Sequence, residues 1–217
     1  MLKTSLFNPL IEKEMDSTTE IEYKNILSSI GQKPLADWDV NVENGYIKRL
    51  TDQDIRTSVL EITGANAQRN WITMPREQND KLGINLPIIS LVAKYLEKFF
   101  YIDILVMDDT KTKRLFKISN TDMKAHVQQT FTKIPMKLVP GWNNVTFDIA
   151  DFVRSAYGTN YVETLRITIY ANCRIRRVYF SNKILNEDDI PSQYRILPTQ
   201  SLEKTEAEPE QETDAVK

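Results

Sequence analysis

The chain holds one cysteine and one histidine. A lone Cys173 has no partner for an internal disulfide, which fits a reducing compartment. Zinc sites of the usual kind need several His or Cys ligands, and His126 with Cys173 does not make one, so no metal is expected. A serine or cysteine nucleophile would have only His126 as its imidazole base, and no G-x-S-x-G elbow occurs. The six glycines (Gly31, Gly45, Gly64, Gly83, Gly141 and Gly158) stand far apart. No glycine-rich loop therefore clusters backbone amides around a phosphate, and no cofactor is expected. Apolar runs are short: none approaches the roughly 20 residues of a membrane-spanning helix. The opening "MLKTSLFNPLIEKEMD" also lacks the continuous apolar core of a secretory signal, so an intracellular protein is expected, and Asn144-Val145-Thr146 reads as strand rather than as a glycosylation site.

What the chain does have is ordinary for a globular protein: 217 residues, 41% hydrophobic and 27% charged. The net charge of −2 is unevenly spread. Glu203 to Lys217 carries six acids and two lysines, a net −4, which leaves +2 on residues 1–202. That stretch, rich in Glu, Pro and Thr, buries too little apolar surface to offset its ordering entropy, so 199–217 is expected to be an acidic disordered tail. Residues 1–25 form an N-terminal extension, where Asp16-Ser17-Thr18 suggests a helix cap with Ile21, Ile26 and Leu27 loosely on one side.

Between them, 26–198 reads as one domain of short period-two segments. "TSVLEITG" alternates and stops at Gly64. "FFYIDILVMDD" places Phe100, Ile102, Ile104 and Val106 on one side before Asp108-Asp109 turns the chain into "KRLFKIS". "NNVTFDI" follows Pro140-Gly141, and "LPIISLVAKYLEKFF", with its β-branched centre, reads as a strand. Leu165, Ile167, Ile169, Ala171, Cys173 and Ile175 alternate strictly. One segment differs: Ile149, Phe152, Val153 and Tyr157 fall at helical spacing between an Asp148 cap and Gly158, which predicts a short helix over about 148–157. The fold class is all-β, an antiparallel β-sandwich or jelly roll with that one helix.

Two acidic pairs, Asp37/Asp39 and Asp108/Asp109, are the remaining candidates for acid–base chemistry. Glycosidase carboxyls stand about 5–9.5 Å apart across a cleft, which sequence spacing does not establish; turn and strand-end roles account for both pairs. The chain reads as a non-enzyme.

The densest chemical signal is "ANCRIRRVYF", residues 171–180. If the alternation ran on unbroken, Arg177 would point into the core and Val178 and Phe180 into water. A bulge near Arg176-Arg177 resets the phase and returns Val178 and Phe180 to the core. Arg166, Arg174 and Arg176 then share an exposed face with Arg177 at its edge, either meeting a partner or pairing with acids such as Glu163 or Asp151. Trp38, Trp71 and Trp142 could line a carbohydrate-binding face, although covering core edges is the commoner use of such rings. A nucleic-acid-binding module is the other alternative, weakened by a body charge of only +2.

Three stretches, "IGQKPLADWDVNVENGYIKRLTDQDI", "LGINLPIISLV" and "GWNNVTFDIADFVRSAYGTNYVETLRITIYANCRIRRVYFS", resemble the cilia- and flagella-associated protein 20 family. The likeness runs from about Ile26 to Pro198. Additional residues between Ile11 and Tyr23 and the acidic tail mark a divergent member. The resemblance implies a β-sandwich or jelly roll without catalytic activity, in the axoneme of cilia and flagella, with links to basal bodies and centrioles. It implies a place at the inner junction of doublet microtubules, where the B-tubule closes on the A-tubule. The implied partners are tubulin and neighbours such as the parkin co-regulated gene protein, with no membrane partner. Within that frame Arg154, Arg166, Arg174, Arg176 and Arg177 are the candidate partner-binding residues.

Overall fold

A computed structural model describes residues 20–195. The strands, in chain order, are β1 (Tyr23–Ser28), β2 (Asp39–Asn41), β3 (Gly45–Asp52), β4 (Thr57–Gly64), β5 (Trp71–Met74), β6 (Ile88–Tyr95) and β7 (Tyr101–Asp108). They continue with β8 (Lys113–Ser119), β9 (His126–Val127), β10 (Phe131–Pro135), β11 (Gly141–Asp148), β12 (Tyr161–Tyr170) and β13 (Cys173–Ser181). A helix, α1 (Ile149–Tyr157), lies between β11 and β12. Two sheets form a β-sandwich. One has the order β11-β6-β13-β4-β3 with β1 also on β13; the other runs β2-β5-β12-β7-β8-β10-β9. All pairs are antiparallel except β8 with β10.

Period-two patterning makes this core. Phe100, Ile102, Ile104 and Val106 are buried, as are Val59, Leu60 and Ile62 on β4 and the run from Ile88 to Ala93 on β6. The alternating series Leu165 to Ile175 is buried throughout, yet it belongs to two strands. Ala171 and Asn172 carry the chain from β12 in one sheet to β13 in the other. The alternation survives because both sheets face the same interior. Asn172 secures the crossing by accepting from the Gly64 N–H at 3.0 Å.

The helix ends as its residues dictate. The Asp148 carboxylate accepts from the Asp151 N–H at 2.9 Å, and Gly158 closes the last turn at φ 67°. Ile149 and Val153 are buried, and Phe152 lies 5.7 Å from the Phe116 ring.

The chain departs from expectation at its start. Tyr23 to Ser28 is a strand pairing with β13 rather than part of a helix, because Ile26 and Leu27 enter the sandwich core across a bulge. The expected cap at Asp16-Ser17-Thr18 and the expected acidic tail lie outside the described residues.

Candidate functional site

The bulge anticipated at the arginine triplet is present. The register of β13 against β6 shifts between Ile175 and Arg177, and Val178 and Phe180 are fully buried. β13 also changes neighbour here. Cys173 to Ile175 pair with β4 and Arg177 to Ser181 pair with β1.

The expected shared, exposed arginine face does not exist. Arg176 is 2% exposed and Arg177 1% exposed. Residues 182–195 cover the outer side of β13: Leu185 and Ile190 pack on Tyr179, with Tyr23 and Tyr194 against them. Arg177 reaches into this cover, donating to Glu187 at 2.6 and 3.0 Å and to the Tyr194 carbonyl at 2.8 Å.

Arg174 points outward but is occupied. It donates from Nε to Glu61 Oε2 at 2.5 Å and from Nη1 to Asp52 Oδ2 at 2.6 Å. Register explains the meeting. Trp142, Lys94, Arg174, Glu61 and Lys48 are successive partners across β11, β6, β13, β4 and β3, so they form one transverse row. Asp52, fully buried, accepts from Arg174, from Lys94 Nζ at 3.2 Å and from Trp142 Nε1 at 3.1 Å. Burial alone would raise its pKa, but the hydrogen bonds from Arg174, Trp142 and Lys94 outweigh it and hold the carboxyl at about 2. Glu61 is likewise lowered: burial opposes, and hydrogen bonds from Tyr46 and Arg174 prevail. With Lys94 also on Asp54 at 2.7 Å and Lys48 at 3.8 Å from Glu61, three cations face three carboxylates. The network leaves the face close to neutral.

Arg166 serves a loop. Its Nη1 donates to the Pro75 carbonyl at 2.6 Å and its Nη2 to the Glu77 carbonyl at 2.7 Å. Arg154, on α1, has a side chain 66% exposed, with Asp151 3.6 Å away. The acids expected as partners divide accordingly: Asp151 stands beside Arg154, whereas Glu163 pairs with Lys81 at 2.6 Å.

Other candidates fall into structural places. Trp38 is buried and donates from Nε1 to the Ile26 carbonyl at 3.1 Å. Trp142 is on the outer face of the first sheet, and Trp71 is beside Ile72, which faces the core from the second. The three rings share no surface. Asp108 organises its hairpin, accepting from the Thr110 and Thr112 N–H groups at 3.0 and 2.9 Å and from Arg114 Nε at 2.9 Å. Cys173 is buried, and burial raises its thiol pKa. Among the described residues, no three His, Cys, Asp or Glu side chains stand close enough to hold a metal ion.

Sequence reasoning missed the outer face of the second sheet. There Asp39, Thr73, Thr168, Asp103, Lys117 and Lys133 are successive partners across six strands. Asp103 is raised by burial, against the lowering influence of Lys117 and of the hydrogen bond from Tyr170 at 3.1 Å. Lys113, Lys117 and Lys133 are exposed, and none ion-pairs with a described carboxylate. No residue pattern short of the strand register would have assembled this row.

The CFA20 domain model matches residues 15–198. The chain is 47% identical over 179 residues to cilia- and flagella-associated protein 20 of Paramecium tetraurelia, covering 82% of this chain and 94% of that one. It is 46% identical to the protein of the same name from Chlamydomonas reinhardtii, with the same coverage. Among solved structures it is similar to the CBM22-1–GH10 modules of a Clostridium thermocellum xylanase, at TM-score 0.41 and 11% identity, covering 78% of this chain and 30% of that one. The chain belongs to the CFA20 domain family.

Proposed function

We propose that this protein is a non-catalytic structural component of the ciliary or flagellar axoneme. It links the A- and B-tubules at the inner junction of doublet microtubules by binding tubulin and neighbouring junction proteins, the parkin co-regulated gene protein among them. Basal bodies or centrioles are further sites for the same activity. The observation that carries the reading is the 46–47% identity to proteins named cilia- and flagella-associated protein 20.

Charge supports a division of labour. The network around Arg174 and Asp52 is internally neutralised and acts as scaffold. Exposed Lys113, Lys117 and Lys133, with Arg154 on α1, offer cations to an acidic lattice. Arg166 and Arg174 meet a partner only by their exposed edges, and Arg177 contributes by fixing residues 182–195. Exposed pairs give about 0–1 kcal/mol each, so shape fit and repetition along the filament supply the rest.

A tagged full-length chain in a ciliated cell tests this directly. It should occupy the axoneme and leave it only at raised salt, and Lys117→Glu with Lys133→Glu should lower the salt needed. A chain that never enters cilia or centrioles ends the proposal.

A further inference from the structure

The buried side-chain atoms left without a hydrogen-bond partner among the described residues all lie on one strand pair, β1 and β13. They are Tyr23 OH, Asn25 Oδ1, Ser28 Oγ, Arg176 Nε and Nη1, and Arg177 Nε. Pairing puts Tyr23 opposite Ser181, Asn25 opposite Tyr179 and Ser28 opposite Arg177. Polar groups shut away from water are ordinarily paired, so six such atoms on one strand pair are a structural fact in need of a cause.

Arg176 is the centre of the group. It sits in the bulge where the edge of β13 passes from β4 to β1, and its backbone carbonyl is held by Ser29 N at 3.1 Å and Ser29 Oγ at 2.9 Å. The residue is 2% exposed, and its Nε and Nη1 are buried without a hydrogen-bond partner. The carboxylate facing it, Glu187, already bonds both terminal nitrogens of Arg177. Burial, and then the adjacent Arg177, lower the pKa of Arg176. Glu187 opposes that lowering, but it is shared with Arg177, so two buried guanidinium groups face one described carboxylate and the balance is costly to maintain.

The unpaired groups also have a chemical sense. Arg176 Nε and Nη1, Arg177 Nε and the hydroxyls of Tyr23 and Ser28 are donors, and one amide oxygen, of Asn25, is the lone pure acceptor. Donor excess with surplus positive charge selects a ligand that is anionic and accepts from several directions. We propose that Arg176 is the anchor of an oxyanion-binding site, which takes a carboxylate or phosphate group with Arg177 Nε, Tyr23 OH and Ser28 Oγ as accessory donors. This inference does not depend on the axonemal reading.

The test is thermal unfolding of the full chain, first free of polyvalent anions and then titrated with phosphate, sulfate or acetate against sodium chloride at equal ionic strength. A saturable rise in Tm is expected, about 3–6 °C at ten times the Kd, and chloride should give none. The strongest of the three anions names the ligand class. Arg176→Met keeps the bulk and removes the charge, so it should melt no lower than the parent without anion and should not respond to it. Tyr23→Phe guards against a misfolded Arg176 variant and should weaken the response about 3–10-fold. With the six acids between Glu203 and Asp214 changed to amides, an unchanged phosphate midpoint assigns the site to an outside anion, and a tighter one assigns competition from the chain's own tail. No saturable rise in the parent, or an equal response in both Arg176→Met and Tyr23→Phe, overturns the site.

Discussion

Arg174 and Asp52 meet at 2.6 Å although β4 lies between their strands. The contact therefore spans three strands of one sheet and closes over Glu61, which takes the other edge of the same guanidinium. Asp52 is fully buried, so removing its charge leaves Arg174 and Lys94 with an amide where a carboxylate stood. Asp52→Asn should lower the unfolding free energy by about 3 kcal/mol in urea titration, the cost typical of breaking one side of a buried pair. A loss below about 1 kcal/mol would mean that Asp54 and Glu61 suffice as counter-charges.

The same carboxylate sets an acid limit. Its pKa falls from 3.8 to about 2 on folding, so the unfolded chain binds its proton more tightly than the folded one. The stabilisation is complete above about pH 4 and disappears as pH drops through about 2; it is of order 2 kcal/mol. Glu61 and Asp108 are shifted the same way and add to the slope. Urea midpoints measured from pH 6 to pH 2 should fall most steeply below pH 4, and Asp52→Asn should flatten that limb. A parent chain as stable at pH 2.5 as at pH 6 contradicts the assignment.

What the sequence disclosed was local. The α1 caps at Asp148 and Gly158, the hairpin at Asp108 and the bulge at Arg176 each follow from residues within a few positions of one another. What it withheld needed partners distant in the chain. Arg174 reads as meeting a partner or pairing with acids such as Glu163 or Asp151; only when β3, β4 and β13 are placed in register do Glu61 and Asp52 come within reach. Arg176 and Arg177 read as exposed because residues 182–195 are mostly polar; Leu185, Ile190 and Tyr194 are enough to fasten that segment over Tyr179. Tyr23 to Ser28 reads as helical until β13 claims it as a strand.

A second long-range feature is the close approach of Asn70 to two glycines. Gly45 and Gly64 face each other across β3 and β4, and buried Asn70 lies on them. Its amide donates to the Glu43 and Asn66 carbonyls at 2.8 and 2.9 Å and accepts from the Glu43 N–H at 2.9 Å. A Cβ on Gly64 would stand 2.0 Å from Asn70 Nδ2. Gly64→Ala should therefore cost about 3 kcal/mol or more. Asn70→Ala opens space, so the double variant should be less unstable than the sum of the two single variants in a mutant cycle. Additive costs would remove the steric explanation.

Arg154 and Arg174 separate contact from scaffold. Arg154 is on the last turn of α1, open to solvent, with one exposed acid 3.6 Å away. Arg154→Glu loses a weak pair and a favourable dipole interaction, so Tm should move by no more than about 3 °C. Arg174→Glu instead places a third carboxylate beside Asp52 and Glu61 and should destabilise by about 4 kcal/mol. Both reversals change the surface charge by the same amount. If Arg154 meets an acidic lattice, its reversal alone should let the folded protein leave the axoneme at lower salt, whereas Arg174→Glu should reduce the amount of folded protein in the cell. Equal extraction of the parent and Arg154→Glu would remove α1 from the contact surface and leave the lysines of β8 and β10 to supply it.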